Sequence, residues 1–371
     1  MSTIADDALV AAVRLALVSG VGPILRQKLL ARFGSPEQVL QAAPSDLRAV
    51  EGVGPKISSA IVAAKHEVDA EAEIALCRAQ AIDILSDADP RYPRALREIP
   101  DPPGILFVQG ELRPADALAV AIVGSRHATR YGLEQAERLG GSLARAGLTI
   151  VSGLARGIDA AAHRGALSAG GRTVAVLGSG ILNIYPPEHA ELALEVVRHG
   201  ALLSEAPPRS MPLSGAFPQR NRIISGMTLG TIVIEAALRS GALITARHAM
   251  EQGRDVFAVP GRVDNRMSHG CHRLIRDGAK LVETADDVLE ELGPLVASAT
   301  ADSGREVHHP AELLLNEVEQ TILDAIDSES TSVERIIATT ELPAHQVLAT
   351  ISVLEIRHLI QRISGTQVRR R

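Results

Sequence analysis

The chain has 371 residues, 46% hydrophobic and 22% charged, which allows a sizeable core spread over two or three domains. No apolar run approaches the roughly 20 residues that span a bilayer; the acidic start Met-Ser-Thr-Ile-Ala-Asp-Asp has no basic n-region, and two cysteines, Cys77 and Cys271, exclude a disulfide framework, so a cytoplasmic protein with no membrane partner is expected. The net charge of −6 conceals a segregation: residues 214–280 hold nine Arg and one Lys against five acids, whereas 281–312 hold eight acids against one Arg, and it is local field that steers a polyanion.

Residues 1–80 read as helical, with apolar residues at helical spacing in Leu9, Val10, Val13 and Leu17. Two copies of Gly-Val-Gly-Pro, at 20–23 and 52–55, each precede an amphipathic helix. The repeat resembles helix-hairpin-helix motifs, in which glycines let backbone N–H groups approach a phosphate, with Lys28 and Lys56 placed to help. Residues 81–115 form a Pro-rich connector with a strand at 105–108.

From Leu118 onward short apolar runs alternate with amphipathic segments. Strands are expected at 119–123, 149–151, 173–177, 201–204, 231–234, 256–259 and 280–282, with helices at 132–146, 187–198 and 241–252 between them. This alternation predicts a parallel sheet covered on both faces, with ligands at the carboxyl ends of its strands. A polar linker follows at 293–311. Helical patterns at 312–326, 332–339 and 343–357 and a terminal hairpin at 359–368 resemble a winged helix-turn-helix. The expected domains are 1–80 (helical), 81–292 (extended Rossmann-like, doubly wound α/β) and 312–371 (winged-helix-like).

The chemistry concentrates in loops after these strands. Gly124, Ser125 and Arg126 offer N–H groups, a hydroxyl and a guanidinium fork to a phosphate. Ser152-Gly-Leu-Ala-Arg156-Gly-Ile-Asp159 makes a tight turn with a helix-capping acid, and His163 lies one helical turn on. Leu177-Gly-Ser-Gly180 is only part of a dinucleotide fingerprint, which argues against an NAD site. Phe217-Pro-Gln-Arg220-Asn221-Arg222 reads as a Pro-flanked loop that sets an aromatic face beside two planar cations, a pairing suited to a phosphate chain with free bases. Ser240 and Thr245 offer hydroxyls near a helix start, and Glu235 is expected to orient the arginines by ion pairing. The turn Ser268-His-Gly-Cys-His272 lacks the paired spacing of a closed zinc site, and no metal or cofactor is expected.

Taken in order, Gly124-Ser-Arg126, the 152–159 turn, Phe217-Pro-x-Arg-Asn-Arg222, Ser240-Gly-x-Leu-Ile-Thr-Ala246 and Val256-x-Ala-Val-Pro-Gly261 resemble the DNA-processing protein A family, also called Smf. One departure is Ala242, where many members carry a second serine. The resemblance implies a non-catalytic, homodimeric single-stranded DNA binder that loads RecA recombinase in transformation and homologous recombination. It also implies a pocket that includes Arg126, Phe217, Arg220 and Arg222. The competing reading is a nucleoside-monophosphate phosphoribohydrolase, because Gly226-Met-Thr-Leu-Gly-Thr231-x-x-x-Glu235 is similar to the Gly-rich, Glu-ended stretch of those Rossmann-type enzymes.

Overall fold

Almost wholly apolar strands bury both faces of one sheet. A computed structural model describes residues 4–292, 299–300, 304, 306–327, 329–357 and 359–370. The nine strands of the main sheet are β1 Ile82–Ser86, β2 Ile105–Gly110, β3 Ala119–Gly124, β4 Thr149–Ser152, β5 Thr173–Leu177, β6 Gly200–Ser204, β7 Gly230–Ile234, β8 Asp255–Ala258 and β9 Lys280–Leu281. They lie in the order β1-β2-β6-β5-β4-β3-β7-β8-β9. β1, β2 and β6 pair antiparallel, and every other pairing is parallel.

Alternate residues feed two cores. Val174 and Val176 of β5 and Leu203 of β6 face one, with Ile223, Ile224 and Ala246 from covering helices. Ala175, Leu177 and Leu202 face the other, with Leu192 and Val196. Strand order reverses between β3 and β7, so the carboxyl ends of these two strands form the crevice where open α/β sheets bind ligands. The expected strands all form; β1 falls inside the stretch read as a connector.

The N-terminal helices build their own small core from Leu15, Leu29, Leu47, Val53 and Ile61. The helix Ile4–Ala16 also gives Ala12 and Val13 to the sheet's core, and Arg26 clamps Asp87 through two bonds of 2.6 and 2.9 Å. Both Gly-Val-Gly-Pro copies end in a helix that starts at its proline, Pro23–Phe33 and Pro55–Glu67. Lys28 is bonded to Glu51 at 2.6 Å, which offsets the charge at the first hairpin.

Val282–Arg371 is a second unit. Of its expected linker, residues 293–298, 301–303 and 305 lie outside the described residues, while Ala299–Thr300 pairs with Glu306–Val307. Helices Glu317–Asp324, Val333–Thr340 and Ala344–Ile356 pack around Ile322, Ile336, Val347 and Ile351, beside a three-stranded sheet that includes the hairpin Ile360–Ser364/Gln367–Arg370.

Behind the crevice, helix Ile158–Ser168 buries His163 completely. Its Nδ1 donates to Thr173 Oγ1 at 2.6 Å, and Nε2 has no partner. Burial holds the ring neutral and pulls its pKa down to about 3. An unfolded chain takes up this proton near the ordinary value of 6.5, so stability is lost as pH falls from 6.5 toward 3. A thermal-melt series should therefore show the wild-type protein losing stability over this window more steeply than His163→Gln, by up to about 1.4 kcal/mol per pH unit. Parallel pH profiles would contradict this.

Candidate nucleic-acid interface

Phe217 and Arg220 lie on a helix, Ala216–Gly226, rather than in the expected loop. Pro218 is tolerated because it sits in the first turn, where a backbone N–H has no helical acceptor. At helical spacing Phe217, Arg220, Asn221 and Ile224 share one face, and all four line a cleft of about 790 Å³ at the carboxyl ends of β3 and β7. Ser125 and Arg126 after β3, Tyr185 after β5, and Arg239 and Ser240 after β7 complete its walls.

The aromatic and cationic groups meet directly. The Arg126 guanidinium lies over the Phe217 ring, 5.2 Å from its centroid. Tyr185 packs against the same ring at 5.6 Å with a 48° tilt. Two glycines make room: a Cβ at Gly178 would strike the Phe217 ring, and one at Gly153 would strike the Arg220 guanidinium. Arg220 is buried, and its Nη1 donates to the Val176 carbonyl while Nε has no partner. Burial, opposed by Asp159 and reinforced by Arg126, pulls its pKa down to about 10, so it stays charged at neutral pH. Burial also pushes the Asp159 carboxyl upward, against the pull of Arg220 and of the N–H groups of Ala155 and Gly153.

Polar residues at the edges have mixed duties. Ser240 caps helix Gly241–Glu251 through the Ala242 N–H at 3.3 Å, and Thr245 is buried in the cleft wall. Asn221 Nδ2 donates to the Gly241 carbonyl at 3.3 Å. Ser125 Oγ accepts from the His127 N–H at 3.1 Å, so it stiffens the turn, and Gly124 lies tight against Ile158. Arg156 stands at the rim, bonded to Glu188 at 2.5 Å. Arg239 is exposed and has no ion-pair partner among the described residues. Sequence reasoning missed Arg239 as a site residue; its place between a sheet strand and a helix start was the available signal. It also noted Asp159 without placing it in the cleft.

A sequence model described as DNA recombination-mediator protein A matches residues 83–293. A SAM-like helix-hairpin-helix tandem matches 13–64, and a DprA winged helix domain matches 306–366. Protein Smf of Synechocystis is 36% identical, over 95% of this chain and 96% of its own. The X-ray structure of DNA processing protein A from Streptococcus pneumoniae superposes with a TM-score of 0.65 at 38% identity, covering 76% of this chain and 96% of that one. A structure of DNA processing protein A from Helicobacter pylori, described for its single-stranded DNA binding mode, has a TM-score of 0.51 at 30% identity, over 56% of this chain and 93% of that one.

Three expected placements differ. Arg222 is absent from the cleft lining: two positions past Arg220, it turns about 200° around the helix. There it is buried against Asp101 at 3.1 Å and Glu205 at 2.7 Å. Glu235 pairs with no arginine among the described residues; with φ at +52° it accepts the Thr129 N–H at 2.7 Å and the Thr129 hydroxyl at 2.5 Å. That occupies the carboxylate on which the phosphoribohydrolase reading depended. The 268–272 turn is largely the start of helix His269–Arg276, where burial pushes the Cys271 thiol up to about 11 and both histidines bond to separate backbone carbonyls. Chemical denaturation separates Arg222 from the arginine above the ring: Arg222→Ala should cost about 3 kcal/mol by stranding two acids, whereas Arg126→Ala should change stability by less than about 0.5 kcal/mol. Equal losses would contradict the assignment.

Proposed function

The chain belongs to the DNA recombination-mediator protein A family, and on that premise we propose that the β3/β7 cleft binds single-stranded DNA. The carrying observation is the stack of Arg126 over Phe217 beside Tyr185, at the mouth of a cleft that also holds Arg220 and Arg239. Cations grip a backbone of any sequence, and an aromatic face takes any unstacked base. A duplex shows its bases only as groove edges, so the ring selects for unpaired strands. The protein acts by holding the strand, without covalent chemistry.

Family membership extends the reading to a cytoplasmic homodimer that hands the bound strand to RecA recombinase during transformation and homologous recombination. Neither outer domain is assigned the main grip. The helix Ala344–Ile356, which would be the reading helix of a winged helix, has no Lys or Arg, and phosphate contact requires cations.

Fluorescence anisotropy with a labelled oligo-dT, over about 50 to 200 mM salt, tests the proposal. Arg126→Ala and Arg239→Ala should each weaken binding and flatten the log–log salt slope by about 0.7. Phe217→Ala should cost ~1–3 kcal/mol with the slope unchanged. Wild-type affinity in all three variants would remove the cleft as the binding site.

A further inference from the structure

Beside the cleft a second, smaller pocket is lined by Arg126, Arg156, Arg220, Tyr185 and Phe217, all but Arg156 shared with the cleft itself. Three arginines thus border one small space. Of the three, Arg156 alone is engaged by an acid at ion-pair distance among the described residues.

That acid, Glu188, is held in place. It lies in the short turn Pro187–His189, behind two prolines, and the buried His189 anchors the turn by donating from Nδ1 to the Leu154 carbonyl at 2.8 Å. The opposite side is equally fixed: Leu154 and Gly157, which flank Arg156, both adopt positive φ, +56° and +75°. The pair meets at 2.5 Å with both side chains about half exposed. An exposed pair contributes little to folding, so such rigid mutual placement has no large stability return. Carboxylate and phosphate present the same oxygen geometry to a guanidinium fork.

We propose that Arg156 forms a phosphodiester subsite at the rim of the cleft, and that Glu188 is a built-in competing anion that a DNA phosphate must displace. The inference rests on the single-stranded DNA reading given above. Glu188 then limits affinity: the strand gains the Arg156 contact only by breaking the resident pair, which keeps the grip releasable.

The test is a double-mutant cycle in oligo-dT anisotropy with the full chain. Glu188→Gln should bind about 3-fold tighter at low salt and steepen the salt slope by about 0.7. In an Arg156→Ala background the same substitution should change nothing. A Glu188→Gln variant with wild-type affinity and slope, or a gain that survives Arg156→Ala, overturns the proposal. If Arg126→Ala and Phe217→Ala weaken binding while Glu188→Gln is silent, the latch fails and the cleft stands. If none of them matters, the DNA reading fails as well.

Discussion

The site depends on one buried cation. Arg220 is almost fully covered, yet it is stabilised by a single carbonyl bond and by the field of Asp159, whose carboxylate already serves the Gly153 and Ala155 N–H groups. Burying a charge is expensive unless it is paired and hydrogen-bonded, and here the compensation is incomplete: Nε has no partner. With Arg126 and Arg239 also lining the cleft, the local balance is positive. An anion laid along the crevice would complete what the protein leaves open, in a wall where charges are weakly screened.

The fold brings these groups together. Reversal of strand order at β3 and β7 opens the crevice, and the loops after β3, β5 and β7 deliver Arg126, Tyr185 and Arg239 from distant parts of the sequence. Gly153 and Gly178 leave the space that Arg220 and Phe217 occupy. Helix Ala216–Gly226 then separates two duties: one face presents Phe217 and Arg220 to the cleft, and the other sends Arg222 to Asp101 and Glu205, tying the helix to the connector before β2 and the loop after β6.

Much of this was legible in the sequence. The apolar runs marked the strands because buried parallel strands must be almost wholly apolar, as β5 and β7 are. Four of the five ordered motifs marked the cleft, each supplying residues that line it. What could not be read was direction. Pro218 suggested a loop, but proline in a first helical turn breaks nothing, and only the helix reveals that Arg220 and Arg222 point apart. Glu235 looked like a partner for arginines because many are near in sequence; its positive φ aims it at Thr129 instead. Arg239 and Tyr185 carried no motif of their own, and three-dimensional proximity alone makes them part of the site.

The central claim is that a base of an unpaired strand lies against Phe217 and Tyr185. Photocrosslinking of a 5-iodouracil-substituted single strand, with the adduct mapped by mass spectrometry, tests this most directly. Adducts should fall on the peptides containing Phe217 and Tyr185 and disappear when the same strand is annealed to its complement. Adducts confined to residues 4–79 or 306–370, or undiminished in the duplex, would contradict the account.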